Sequence, residues 1–373
     1  MRGFFFWLIC LVFLVQSVAL ASADGLAPEI AARASVLLDR ASGRILYAQN
    51  ADELLPIAST TKIMTAMLAL ERSKPDEIVT ASKNASGVSG TSIYLAEGEQ
   101  LTMHQMLLGL MLRSGNDAAV AIAEHVAGDV EEFVSLMNAR AKAIGATARF
   151  ANPNGLDLDD NGASALGLAK IACQALDNPD FRKLVSTLSA TIPWAGNVYL
   201  RSLSNKNRLL KTYEGATGVK TGFTSRAGRC LVFSAQRGGM ELVGVVLNCG
   251  AWFDAAESML DWGFENFHPV RLLAAGEIAS EIPVAGGVLS YVRAVTRENF
   301  DVPVANAERC ELKLDTPERL EAPVAAGQVL GFANAVADGK VVASAPLYAA
   351  EAVEKRDYAS ILKRLLRFWR LWP

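Results

Sequence analysis

Histidine is scarce in this chain: three residues in 373. His104 and His125 fall in helical segments and His268 stands beside a proline, which are settings for surface or capping side chains rather than for a base. No Gly-x-Ser-x-Gly elbow accompanies them, so a Ser-His-Asp hydrolase is excluded. No His-Glu-x-x-His or Cys-x-x-Cys spacing occurs either, and any active site is expected to work without metal or cofactor. Charge of one sign is equally short. The net charge is -3, so the body has no nucleic-acid character, while a hydrophobic fraction of 51% leaves ample material for a core and more than one domain.

The one long uncharged run stands at the N-terminus. Met1-Arg2 precede an apolar stretch from Phe4 to Val15, and Ala21-Ser22-Ala23 precede Asp24. This is the order of a cationic segment, an apolar segment and a small-residue cleavage site. Residues 1–23 are therefore expected to be a signal peptide, with an uncleaved anchor as the alternative. The mature chain is expected outside the cytoplasmic membrane. Cys10 would leave with the signal. Cys173, Cys230, Cys249 and Cys310 remain, too widely spaced for a zinc site. Cys230 and Cys249 fall on the two arms of a predicted hairpin, where a disulfide or two buried free thiols would each fit.

What the chain does have is Ser59-Thr-Thr-Lys62, between proline and small residues and an apolar run of good helix formers. Residues three apart on a helix share a face, so Ser59 Oγ and Lys62 Nζ can enter one pocket. At a helix start, unpaired N–H groups favour negative charge developing on the serine adduct. Such a pair performs acyl transfer without histidine if the lysine is held partly neutral. A second segment, Arg113-Ser114-Gly115-Asn116-Asp117, follows a helix that opens with a capping box, Thr102 to Gln105, and a Leu101–Met106 staple. Leu107, Leu108, Leu110, Met111 and Leu112 give that helix a body that should be buried, so the polar break emerges from a rigid scaffold. The third is Gly218-Val-Lys220-Thr221-Gly222-Phe223-Thr224. A phosphate loop needs glycine directly before the lysine, and Val219 stands there. The runs 229–236 and 241–247 around Gly238-Gly239 predict an antiparallel hairpin, with Lys220-Thr221-Gly222 on a neighbouring strand and Gly222 admitting a ligand backbone.

S-x-x-K, S-x-N and K-T-G in this order form the signature of penicillin-binding proteins and class A β-lactamases. The segments 34–47, 58–66, Asn152-Pro-Asn-Gly-Leu156, 205–210 and 260–267 further resemble low-molecular-mass D-alanyl-D-alanine carboxypeptidases, closely over residues 28–270. The resemblance implies an α+β fold of the serine DD-peptidase/β-lactamase-like type, an antiparallel sheet flanked by helices, with a small C-terminal all-β domain. The expected domains are a catalytic unit at 24–270, a β-rich unit at 271–350 and a terminal segment at 351–373. The implied catalytic residues are Ser59 as nucleophile, Lys62 as base, and Ser114 and Asn116 for proton relay and amide holding. Lys220 and Thr221 would bind the substrate's terminal carboxylate. The backbone N–H groups of Ser59 and Phe223, the latter just after Gly222, would form the oxyanion hole. Lys206 is a further candidate cation beside that carboxylate. The implied substrate is a peptidoglycan stem peptide ending in D-Ala-D-Ala, with β-lactams as covalent inhibitors and no cofactor. Two rivals remain. A β-lactamase uses the same acylation, but the stretch 152–164 offers Asp157, Asp159 and Asp160 and no glutamate for deacylation. The other rival is a silent penicillin-binding scaffold.

From Ala275 to Leu347 short strand-like segments replace amphipathic helical runs and predict the all-β unit, whose residues identify no ligand. From Tyr358 onward the chain carries four cations and no acid. Lys363, Arg367 and Arg370 share one helical face, while Ile361, Leu362, Leu365, Leu366, Trp369 and Trp372 fill much of the rest. Such a helix is too short and polar to span but suits the interface of an anionic bilayer.

Overall fold

The structure, a computed structural model, describes residues 27–157 and 161–356. The expected signal peptide and the basic terminal helix lie outside the described residues, as do Asp159 and Asp160. The central element is a five-stranded antiparallel sheet. Its order is Ile45–Gln49, Ala32–Asp39, Met240–Cys249, Gly228–Arg237 and Ala216–Thr224, with the last strand at an edge. The two inner strands 228–237 and 240–249 are nearly continuous apolar runs because both faces of the sheet are covered. One face packs on the helices Lys62–Arg72, Asn116–Ala127 and Ala165–Leu176 in the larger core; the other packs on the helix Trp252–Asn266.

The hairpin between the inner strands turns at Gly238 and Gly239, with φ of 58° and 84°. Positive φ at both central residues is what a type I′ turn demands, and glycine adopts it without steric cost. Asn248 has a φ of 49° and breaks the side-chain alternation. Cys249 consequently faces the Trp252–Asn266 helix, whereas Cys230 faces the larger core. All four described cysteines are free thiols, so of the two arrangements open to the 230/249 pair the structure contains the buried thiols.

The β-rich unit begins where the last core helix runs directly into the strand Phe267–Leu273, which pairs with Phe300–Ala305. A six-stranded sheet follows around its own core, which includes Ile282, Val292, Phe300 and Leu347. A buried ion pair joins this unit to the catalytic sheet. Arg44, at the start of the 45–49 strand, donates from Nη2 to Glu308 Oε1 and from Nη1 to the Pro303 carbonyl, each at 2.5 Å. The two side chains are 1% and 3% exposed, and the guanidinium lies 5.6 Å from the Phe267 ring centroid.

Candidate active site

Ser59 lies in a single 3₁₀ turn, Ala58–Thr61, that leads into the helix beginning at Lys62. The expected helical turn is thus tighter than α, and Ala58 ahead of it holds a φ of 48°, a left-handed conformation costly for a residue with a Cβ. Two glycines explain how the turn is held. A Cβ on Gly222 would lie 3.0 Å from Ser59 N and 3.0 Å from the Ile57 carbonyl oxygen; one on Gly155 would lie 1.9 Å from the Ala58 carbonyl oxygen. Gly222 was expected to admit a ligand backbone. Its close neighbour is the turn that carries Ser59, so its missing side chain lets the edge strand press against that turn.

Lys62 is fully buried. Its Nζ lies 3.1 Å from Ser59 Oγ and 2.7 Å from Asn116 Oδ1, and it also donates to the Asn154 carbonyl. Asn116 Nδ2 donates to the Ser89 carbonyl at 2.8 Å, which fixes the amide so that Oδ1 faces the lysine. Burial pushes the Lys62 ammonium well below its ordinary range, reinforced by the positive charges of Lys220 and Lys206 and opposed by Asp117. The Asn154 carbonyl and Asn116 Oδ1 can only accept. A neutral amine gives its two N–H bonds to these and turns its lone pair toward Ser59 Oγ–H. That geometry suits proton removal from the serine.

Ser114 follows a π-helical turn, Gly109–Arg113, that closes the capped helix at 103–108; the Thr102–Gln105 capping box is present as expected. The wide turn delivers Ser114 in a left-handed conformation, φ 67°. Its Oγ is buried and has no hydrogen-bond partner among the described residues, which leaves a hydroxyl ready for a substrate group. Lys220 is buried on the edge strand with Nζ donating to the Thr221 carbonyl at 2.8 Å. Burial and Lys206 lower its pKa to about 7. Lys206 lies on the loop after the strand Arg201–Ser204, and its pKa is lowered by partial burial and by Arg113. Phe223, next along the edge strand, exposes 63% of its surface.

The structure therefore brings Ser59, Lys62 and Asn116 into direct contact and places Gly222 against their turn, with Lys220 and Lys206 near enough to depress Lys62. Sequence reasoning assigned no part to Asn154, Gly155, Asp117 or Ser89. The Asn152-Pro-Asn-Gly-Leu156 segment was visible, and its Asn-Gly pair signals a turn, but which carbonyl would meet Lys62 depends on tertiary placement. Asp117 is 1% exposed and accepts from the N–H groups of Ile93, Leu95 and Ala118 and from Ser92 Oγ. It clamps the 92–95 loop to the S-x-N segment. Asp157, one of the acids considered for deacylation, accepts from Thr224 Oγ1 at 2.8 Å. Among the described residues no cluster of His, Cys, Asp and Glu could hold a metal ion.

Comparison with known proteins agrees with this geometry. The family model of the peptidase S11 D-alanyl-D-alanine carboxypeptidases matches residues 21–251. The chain belongs to this family. A second model, the C-terminal domain of penicillin-binding protein 5, matches residues 267–355. Among curated members, D-alanyl-D-alanine carboxypeptidase DacF of Bacillus subtilis is 33% identical, over 91% of this chain and 90% of that protein. DacC of Escherichia coli is 33% identical over 93% and 88%. The crystal structure of penicillin-binding protein 5 from Haemophilus influenzae superposes with a TM-score of 0.76 at 31% identity, covering 89% of this chain and all of that one. The Streptomyces K15 DD-transpeptidase, a family neighbour, matches at a TM-score of 0.60 and 34% identity over 64% of this chain and 99% of its own.

Proposed function

We propose that the protein is a serine-type D-Ala-D-Ala carboxypeptidase of cell-wall metabolism that trims peptidoglycan stem peptides. The observation that carries the reading is the Lys62 amine, buried between Ser59 Oγ and two fixed oxygen acceptors. Ser59 Oγ attacks the carbonyl of the penultimate D-alanine while its proton passes to Lys62 Nζ. The tetrahedral oxyanion is held by the Ser59 and Phe223 backbone N–H groups. The peptide C–N bond then breaks, the proton reaches the departing amine by way of Ser114, and D-alanine leaves. Water cleaves the resulting ester and restores the serine. Asn116 holds the substrate amide, while protonated Lys220 with Thr221 takes the terminal carboxylate, which makes a free C-terminal acid a requirement. A β-lactam is attacked in the same way, and its acyl group cannot depart. The engagement of Asp157 by Thr224 supports a long-lived penicilloyl ester rather than a β-lactamase.

The test is release of free D-alanine from diacetyl-L-lysyl-D-alanyl-D-alanine, read by D-amino-acid oxidase. The native chain is expected to release it and Ser59→Ala to release none. Release by both would overturn the assignment of the nucleophile. The N-terminal segment is proposed as an export signal and residues 358–373 as a peripheral anchor, on their sequence pattern alone. Among the described residues no helix is long and apolar enough to cross a membrane. Flotation with anionic vesicles, lost on deletion of 358–373, tests the anchor.

A further inference from the structure

The reaction above uses two lysines, Lys62 and Lys220. Two more cations stand at the same site with no part in it. Arg113 ends the π-helical turn immediately before Ser114 and is half-buried. The strand Arg201–Ser204 packs against that turn and delivers Lys206, two residues beyond its end, to the same place. The loop that holds Lys206 is built rather than loose. Asn205 Nδ2 donates to the Val185 and Thr187 carbonyls, and Asn207 N donates back to Asn205 Oδ1. Asn207 is 2% exposed, and its Nδ2 is buried without a hydrogen-bond partner. Neither Arg113 nor Lys206 forms an ion pair among the described residues. The nearest acid, Asp117, is already taken by three backbone N–H groups and a hydroxyl.

Like charges left together and unpaired are costly unless an anion visits them. Lys206 acts electrostatically on Lys220 on one side and feels Arg113 on the other, so the cations form a row leading away from the terminal-carboxylate position. A single C-terminal carboxylate beside Lys220 does not use the far end of that row.

We propose that Arg113 and Lys206 form a second anion subsite, which selects stem peptides carrying a carboxylate in addition to the C-terminal one. This rests on the D-Ala-D-Ala reading and refines its substrate class to acidic stem peptides. Arg113 supplies a planar fork suited to bidentate carboxylate binding, and Lys206 a point charge beside it. Both contact substrate at a distance from the scissile bond, so their effect falls on recognition rather than on the proton transfers at Ser59.

The experiment compares kcat/KM for two synthetic tripeptides. One is diacetyl-L-lysyl-D-alanyl-D-alanine; the other has N-acetyl-α-aminopimelyl in place of the diacetyl-lysyl residue, which puts a carboxylate at the end of the side chain. The native protein should prefer the acidic peptide about tenfold, the factor one charge-assisted contact supplies. Arg113→Gln should bring the ratio close to one, and Arg113→Lys should keep most of it. The preference should also shrink as salt rises. Equal turnover of both peptides by the native protein, or a ratio unchanged in Arg113→Gln, would overturn the subsite while leaving the carboxypeptidase reading intact. Release of D-alanine from neither peptide would instead overturn that reading and the subsite with it.

Discussion

Replacing Gly155 by alanine should damage the Ser59 turn from a position that makes no contact with substrate. Gly155 has a φ of 82°, and an added Cβ would lie 1.9 Å from the Ala58 carbonyl oxygen, 2.4 Å from its carbon and 3.0 Å from Ser59 N. Non-bonded heavy atoms rest at about 3.5 Å or more, so one backbone must retreat by roughly 1 Å. Left-handed backbone costs a residue with a Cβ about 1–2 kcal/mol, and overpacking adds about 1–3 kcal/mol. The loss of stability should therefore be about 2–5 kcal/mol. A displacement of about 1 Å at a reacting atom lowers rates on the order of 100-fold. Gly43→Ala is the matched control, since Gly43 has a φ of 69° but nothing within 4 Å of its added Cβ. It should show the backbone strain alone, with acylation intact. Thermal melts give the stability, and the second-order rate of benzylpenicillin acylation, followed by intact mass, gives the site effect. A folded Gly155→Ala protein that acylates as fast as Gly43→Ala would refute the claim that this glycine sets the position of the nucleophile.

Lys62→Met should fold, because it removes a buried amine and keeps much of its volume, yet acylate about 100- to 10000-fold more slowly, the usual contribution of a general base; a smaller loss in the burst rate would remove Lys62 from that role. The buried Lys220 titrates at about 7 in the folded protein against 10.5 ordinarily, so between those values the unfolded chain binds more protons. Stability should therefore rise with pH across that window, while capture of anionic substrates, which needs the Lys220 cation, should fall as pH passes about 7. A kcat/KM profile flat from pH 6 to 9 would contradict this, and Lys220→Arg should shift the falling limb upward. Breaking the Arg44–Glu308 pair on one side, as in Glu308→Gln, strands a buried guanidinium and should cost about 3–5 kcal/mol by denaturant titration. Arg44→Met with Glu308→Leu should recover most of that loss, and a single variant as stable as the native chain would show the pair to be ornamental.

Much of the fold was legible because local signals and topology coincide. The Thr102–Gln105 capping box, the Gly238-Gly239 turn and the three ordered motifs each follow from a few adjacent residues, and the structure places them as read. What escaped depends on residues far apart in the chain. The Asn154 carbonyl reaches Lys62 across 92 positions, and Arg44 reaches Glu308 across 264. Neither contact leaves a periodic trace. The role of Gly222 was misplaced for the same reason: its sequence context shows a backbone that needs room, and only the packed structure shows that the Ser59 turn fills it. Cys249 is a smaller case, since alternation alone sets it on the face of Cys230 and the left-handed Asn248 turns it to the other side.

The central claim is that Ser59, activated by a buried Lys62, forms an acyl-enzyme. Intact-mass spectrometry of the protein with benzylpenicillin, beside Ser59→Ala, tests it most directly. The account predicts one penicilloyl adduct on the native chain that outlasts the free drug, and none on the variant. An adduct on Ser59→Ala, or none on either protein, would contradict it.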